Sequence, residues 1–130
     1  MSIIEAKIAQ NRAYAPYSRF KVGAAILLKD GTYIHGANIE NGSYGLSNCA
    51  ERSALFSLIS QGYDTKDIVS ITIIGNTKHP ISPCGACRQV MYELLPKEAK
   101  VILTNAEGDI KEMSKEELLP YGFDLDEDKQ

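Results

Sequence analysis

Residues 47–62 read SNCAERSALFSLISQG and combine a helical pattern with reactive side chains at its start. The apolar residues that recur at helical spacing are Ala50, Ala54, Leu55, Leu58 and Ile59. The pattern predicts a helix over about 49–61, with Gly62 as its end signal. Cys49 and Glu51 therefore fall in the first turn, where free backbone amides and the helix dipole favour negative charge.

A second helix start, further along the chain, also carries cysteines. Residues 82–90 read SPCGACRQV, and the helix that they open is expected from about 85 to 95, before Pro96. The intervening residues 68–75, IVSITIIG, are nearly all β-branched, which is typical of a strand buried on both faces. The only three cysteines of the chain thus lie at two predicted helix beginnings.

The elements on either side predict a mixed sheet. Ser2 and Glu5 have the spacing of a capping box and predict a first helix. Two strands joined around residues 29–31 form an antiparallel hairpin, and two strand–helix–strand crossovers imply parallel neighbours. A strand at 100–104 and an edge strand near 109–113 complete the predicted set.

The expected architecture is α/β, with a mixed five-stranded sheet between helical layers. The spacing of Ser114 and Glu117 predicts a capping box before a last helical turn. One domain is expected over residues 1–130, with a loose acidic tail from about residue 124.

Composition excludes several classes of function. With 44% hydrophobic residues, a 130-residue chain can bury a core without disulfides. The net charge of −3 gives no general field for nucleic acid or an anionic membrane. The longest strongly apolar run, residues 22–28, is too short to cross a bilayer as a helix, and Glu5 and Lys7 interrupt any signal-peptide pattern. We expect a cytoplasmic protein without nucleic-acid or membrane partners.

The cysteines indicate metal or redox chemistry. Cys84 and Cys87, spaced as Cys-x-x-Cys, suit a tetrahedral metal ion and a dithiol couple equally well. With Cys49, three thiolates and a water would form a catalytic zinc site, in which Glu51 could carry the water's proton. Two alternatives stay open here: a closed structural site completed by His79, and a redox protein that uses no metal.

The motif Cys49-Ala50-Glu51, followed by Pro83-Cys84-Gly85-Ala86-Cys87, resembles the three-cysteine signature of zinc deaminases. The wider context is similar to the small homotetrameric cytidine deaminases, from about residue 12 to residue 123. The stretches that carry this resemblance are YAPYSRFKVGAA (14–25), NIENGSYGLSNCAERSAL (38–55) and ELLPYGF (117–123).

The resemblance implies a three-layer α/β/α cytidine deaminase-like fold and a hydrolytic deaminase. One Zn²⁺ per subunit would be held by Cys49, Cys84 and Cys87, with water, ionised to hydroxide, as the fourth ligand. The hydroxide would attack carbon 4 of cytosine, while Glu51 moves the proton to ring nitrogen 3 and then to the departing amino group. Cytidine and deoxycytidine would give uridine and deoxyuridine plus ammonia, in pyrimidine salvage. The nearest alternative is another cytosine nucleoside, such as a nucleoside antibiotic.

The resemblance also implies which residues bind the nucleoside. Asn38 and Glu40 match positions that hold ribose hydroxyls, and Phe20 matches an aromatic residue that packs on the base. The main chain at Ala50 and Ser82 should meet the polar edge of the ring. Because a carboxylate at Glu40 would repel a 5′-phosphate, we expect a free nucleoside as the substrate.

Four further residues are expected around the site, of which Tyr44, Phe123 and Arg52 match the family and Gln89 is chosen for its place two residues after Cys87. Tyr44 and Phe123 match residues that complete a neighbouring subunit's site, which implies a homo-oligomer, expected to be a tetramer with shared sites.

Zn²⁺ with three thiolates carries a net charge of −1, which should raise the pKa of its water. Arg52 and Gln89 are the candidate donors to the cysteine sulfurs that would counter this charge.

Overall fold

The computed structural model describes residues 1–123, which form four α-helices and five strands. The helices are α1 (Ser2–Gln10), α2 (Ala50–Ser60), α3 (Gly85–Leu94) and α4 (Lys115–Leu118). The strands are β1 (Val22–Leu28), β2 (Tyr33–Ala37), β3 (Ile68–Gly75), β4 (Lys100–Asn105) and β5 (Ile110–Met113). The predicted loose tail from about residue 124 lies outside the described residues.

The five strands form one mixed sheet in the order β2-β1-β3-β4-β5, which confirms the predicted α/β class. Strands β3 and β4 are parallel, and the other three pairs are antiparallel. One expectation is wrong: the crossover through α2 does not join neighbouring strands. Strand β1 lies between β2 and β3, with Ala25 paired to His35 on one side and to Thr72 on the other.

Two glycines show that the helices cover both faces of the sheet. A Cβ on Gly23 would lie 2.2 Å from the carbonyl oxygen of Ala6 in α1. A Cβ on Gly36 would lie 2.3 Å from the amide nitrogen of Ala54 in α2. Gly36 pairs with Ala24, the residue after Gly23, and successive residues of a strand face opposite sides. Helices α1 and α2 therefore pack on opposite faces, and the three-layer architecture is confirmed.

The main core lies on the side of the sheet covered by α2 and α3. Strands β1, β3 and β4 contribute alternate side chains, of which Ile26, Ile71, Ile73 and Val101 are fully buried. The helices contribute Ala54, Leu55, Leu58 and Met91. Cys87 is part of this core, so one metal-ligating candidate is anchored in the apolar interior.

The two capping boxes predicted from the sequence had different outcomes. The Ser114–Glu117 box is present at the start of α4. The Ser2–Glu5 box is wrong, because Met1 precedes α1 without a side-chain cap. The Ser2 hydroxyl instead bonds the Tyr33 hydroxyl at 3.0 Å, and Glu5 lies 2.8 Å from Nε2 of His35. Tertiary contacts with β2 outcompete the local cap.

Among the described residues, no helix combines the length and apolarity needed to cross a bilayer.

Replacement of Gly36 by alanine should destabilise the fold, because the new methyl group would collide with the backbone of α2. The nearest atoms, Ala54 N at 2.3 Å and Ala50 O at 2.5 Å, cannot rotate away. We expect a loss of about 1–3 kcal/mol in the free energy of unfolding, measured by urea titration. Gly45→Ala, where nothing lies within 4 Å of the new carbon, is the control. Equal midpoints for both variants would contradict the close approach of α2 to β2.

Candidate metal centre

The three cysteines lie at the edge of the sheet where β2 and β3 end. Both strands are antiparallel to β1, so they run in the same direction and their carboxyl ends share one edge. Helices α2 and α3 follow these strands and therefore begin near that edge. Cys49 is the N-cap residue of α2 and Cys84 is that of α3, both with extended backbone angles.

The sulfur atoms are close enough to share one metal ion. Sγ of Cys84 lies 3.7 Å from Sγ of Cys49 and 3.2 Å from Sγ of Cys87, and all three atoms fall within 4.8 Å of one another. Thiolates at about 2.3 Å from a tetrahedral Zn²⁺ would lie about 3.8 Å apart. The donor set therefore fits zinc. Within residues 1–123 the group includes no histidine, and His79 is exposed, so the closed site with His79 is not supported.

The thiols differ in acidity because of their hydrogen bonds. The hydrogen bond from Cys87, with smaller contributions from Arg52 and Cys84, lowers the pKa of Cys49 to about 5 against the opposing effect of burial. The same hydrogen bond, together with burial, raises the pKa of Cys87. The amide of Cys87 also donates to Sγ of Cys84 at 3.4 Å. The site thus already stabilises negative charge on the sulfur of Cys49, and the thiolate is the form that binds metal.

Glu51 lies in the first turn of α2 beside this group. Its side chain is only 4% exposed, which is unusual for a carboxylate. Burial raises the pKa of Glu51 above its ordinary value, and the charge of Cys49 adds to the rise. A carboxyl group with a raised pKa holds a proton more readily than a free one, which suits a proton carrier beside a metal site.

Of the two predicted sulfur donors, only Arg52 contacts a cysteine. Its Nη2 lies 3.3 Å from Sγ of Cys49, and this hydrogen bond raises the pKa of Arg52, so the guanidinium stays charged. Its Nε is buried and has no partner within residues 1–123. Gln89 is placed differently from the prediction: its amide donates to the carbonyl oxygen of Phe123 at 2.9 Å.

A cavity of about 210 Å³ opens beside the cysteines, and most of the predicted site residues line it. Its lining residues are Phe20, Val22, Asn38, Cys49, Ala50, Glu51, Ile81, Ser82, Pro83 and Cys84. The Asn38 amide bridges two backbone groups, because its Nδ2 donates to Phe20 O and its Oδ1 accepts from Val22 N, both at 2.8 Å. This bridge holds the segment that carries Phe20 at the wall of the cavity.

Glu40 lines a second cavity, with Tyr17, Ser18 and Ser47. Its carboxylate accepts hydrogen bonds from the amides of Tyr17 at 3.1 Å and Ser18 at 3.0 Å, and from the Ser18 hydroxyl. The bonds from Ser18 lower the pKa of Glu40. Because the Ser18 hydroxyl oxygen also accepts from the amide of Phe20 at 3.0 Å, a short chain of hydrogen bonds joins the two cavities.

Tyr44 and Phe123 are the two residues expected to reach a neighbouring subunit. Tyr44 begins the 3₁₀ turn Tyr44–Leu46, and its side chain lies outside the described part of the structure. Phe123 ends the described chain with its side chain 53% exposed.

Arg88 at the cavity wall was missed in the sequence analysis. Its guanidinium donates to Pro83 O at 2.8 Å, to Leu118 O at 2.9 Å and to the Ser82 hydroxyl oxygen at 2.7 Å. The available signal was its position four residues after Cys84, one helical turn into α3. The sequence does not reveal its partners, which are mainly backbone carbonyls.

Comparison with known proteins supports the reading of this site. Residues 3–103 match the family model described as the cytidine and deoxycytidylate deaminase zinc-binding region. The cytidine deaminase of Halalkalibacterium halodurans is 58% identical over 95% of this chain and 92% of its own length. That of Sporosarcina psychrophila is 48% identical over 93% of this chain and 88% of its own.

Solved structures agree in fold. The crystal structure of cytidine deaminase from Burkholderia pseudomallei is 53% identical, with a TM-score of 0.91 over 94% of this chain and 96% of that one. The enzyme from Mycobacterium tuberculosis gives 36% identity and a TM-score of 0.77 over 93% of each chain. With the family match spanning the three-cysteine group and Glu51, the chain belongs to the zinc-binding cytidine and deoxycytidylate deaminase family.

Proposed function

We propose that the protein hydrolyses cytidine and deoxycytidine to uridine and deoxyuridine, with release of ammonia. The observation that carries the proposal is the meeting of a zinc-compatible cysteine group and a buried carboxyl, Glu51, at one cavity. A thiol redox protein would have no use for Cys49 or for a buried Glu51. The relatives named above are cytidine deaminases, which favours cytidine over another cytosine nucleoside.

Cys49, Cys84 and Cys87 are the residues that would hold one zinc ion. When bound, zinc supplies Lewis-acid chemistry that makes water a nucleophile at neutral pH. Glu51 accepts the proton of the water that attacks carbon 4 and delivers it to ring nitrogen 3. It then takes the second proton from the oxygen now bonded to carbon 4 and passes it to the amino group, so that the bond from carbon 4 to that nitrogen breaks, ammonia leaves and the base becomes uracil. Burial raises the pKa of Glu51, which favours uptake of the water's proton.

The cavity provides the contacts that a pyrimidine nucleoside needs. Phe20 offers an aromatic surface for the base, and Val22 and Ile81 make part of the wall apolar. The backbone at Ala50 and Ser82 supplies polar groups for the edge of the ring. We assign the ribose hydroxyls to Asn38 and Glu40, whose two cavities are joined by the hydrogen bonds of the Ser18 hydroxyl.

We also infer a cytoplasmic enzyme of pyrimidine salvage that acts as a homotetramer, in which Tyr44 and Phe123 serve a neighbouring site. Support for association comes from exposed apolar side chains on α2 and α3. Phe56 and Ile59 are 45% and 48% exposed and, with Val90 and Leu94, line a surface groove. Such a groove is a common site of subunit contact.

The direct test follows the ultraviolet absorption of cytidine during incubation with the purified protein. We expect the cytosine band to decline with the zinc-loaded protein and to persist after chelation, with activity restored by added zinc. Glu51→Gln is the matched variant: it should retain zinc but lose at least about 1,000-fold in kcat, because the proton carrier is gone. A zinc-loaded wild-type protein that leaves cytidine intact would rule out the proposed reaction.

Loss of Arg52 should weaken the metal site, because the guanidinium balances the charge of the thiolates. In Arg52→Ala we expect zinc affinity to fall by about tenfold or more, as for other groups that contact metal ligands. The measurement is zinc content per chain after dialysis against graded chelator concentrations. Arg12→Ala, at an exposed arginine, controls for loss of one positive charge. Identical zinc retention in the two variants would remove the role of Arg52.

Cytidine 5′-monophosphate should be a poor substrate, because the Glu40 carboxylate is ionised and would repel the phosphate. The pKa of Glu40 is lowered by hydrogen bonds from Ser18, so the charge persists to acidic pH. We expect kcat/KM for the monophosphate to be about 10- to 1,000-fold below that for cytidine. Deoxycytidine, which lacks the phosphate, should be converted and serves as the control. Similar kcat/KM values for the nucleoside and its monophosphate would contradict this assignment.

A further inference from the structure

Arg88 connects the cavity wall to the C-terminal segment, by which we mean residues 115–123. It reaches Pro83 O and the Ser82 hydroxyl on one side, and Leu118 O at the end of α4 on the other. A guanidinium has donors only, so the Ser82 oxygen must be the acceptor in the 2.7 Å contact. The hydroxyl hydrogen of Ser82 is therefore directed away from Arg88 and remains available for donation.

Ser82 is also one of the residues that line the cavity. It is an exposed residue and lies in the wall between Ile81 and Pro83, two positions before Cys84. Within residues 1–123, the contact with Arg88 is the one side-chain hydrogen bond recorded for its hydroxyl. A hydroxyl whose oxygen is occupied by a cation acts on a ligand as a donor rather than as an acceptor.

The loop that carries Ser82 is fixed independently at its other end. Asn105 is fully buried, and its amide donates to Thr77 O at 3.0 Å and to Lys78 O at 3.2 Å. The amide of Ile81 donates to Thr104 O at 3.3 Å. Because these bonds hold the loop up to Ile81 and Cys84 already caps α3, loss of Arg88 should change the orientation of the Ser82 hydroxyl more than the course of the loop.

We propose that the Ser82 hydroxyl donates a hydrogen bond to an acceptor on the pyrimidine ring, and that Arg88 is the positioning residue that imposes this direction. The acceptor is of the class that cytosine presents, a carbonyl oxygen or an unprotonated ring nitrogen. The inference rests on the proposed function and adds a side-chain contact to it. A base without an acceptor at that edge would leave the Ser82 donor unpaired, which disfavours its binding.

The test is a double-mutant cycle on the zinc-loaded enzyme with cytidine as substrate. Ser82→Ala should lower kcat/KM by about five- to tenfold, the value of one neutral hydrogen bond, without loss of zinc or thermal stability. Arg88→Met should lower kcat/KM to a similar extent, and the double variant should be no worse than the poorer single variant. Ser82→Thr, which keeps the hydroxyl, should recover most of the lost activity.

Lys115→Met is the matched control for Arg88→Met. Lys115 also ties the C-terminal segment to α3, because its Nζ donates to Tyr92 O and Leu95 O, both at 2.8 Å. It makes no recorded contact with Ser82. Lys115→Met should lower the melting temperature as Arg88→Met does. When Lys115→Met is combined with Ser82→Ala, the loss of kcat/KM should equal the product of the two single losses, as for independent sites.

The outcomes separate this inference from the proposed function. Activity of Ser82→Ala within twofold of wild type, or multiplicative effects of Ser82→Ala and Arg88→Met, would overturn the inference while cytidine turnover stands. A wild-type enzyme that does not convert cytidine would overturn both. If Arg88→Met does not fold, the comparison of Ser82→Ala with Ser82→Thr still decides: equal loss in both variants argues against a donor role for the hydroxyl.

Discussion

The pairing of β1 with an antiparallel neighbour on each side determines where the site forms. Because β2 and β3 are both antiparallel to β1, they end at one edge of the sheet, and the helices that follow begin there. The amino end of β1 lies at the same edge and carries Phe20 just before it. Residues far apart in sequence thus meet without any long loop reaching across the molecule. Close packing of α2 on Gly36 then fixes the depth of Cys49 and Glu51 relative to the sheet.

Electrostatics at this edge are balanced between nearby groups. Three thiols and a buried carboxyl, all able to become negative, lie close together, and two helix N-termini and the Arg52 guanidinium favour their charged forms. Arg52 leaves its Nε buried and unpaired within residues 1–123, a cost that indicates how strongly its position is set by the contact with Cys49. A metal cation adds the positive charge that this arrangement still requires.

Local patterns in the sequence predicted the elements well, while contacts between elements were harder to foresee. The β-branched run at 68–75 and the Ser114–Glu117 box are local signals, and both proved correct. The Ser2–Glu5 box failed because Tyr33 and His35, on a distant strand, offered better partners. The three cysteines came together as expected, because motif spacing reports on helix starts. The partners of Gln89 and Arg88 are, apart from the Ser82 hydroxyl, backbone carbonyls, which leave no mark in the sequence.

The attachment of the C-terminal segment has an evolutionary consequence. The acceptors of these attachments are main-chain oxygens, atoms that every amino acid possesses. Lys115 donates to those of Tyr92 and Leu95, Arg88 to that of Leu118, and Gln89 to that of Phe123. Side chains at the acceptor positions can therefore mutate without breaking these attachments. The exposed side chain of Phe123 can therefore be adapted to a partner surface by mutation, while its backbone stays anchored to α3.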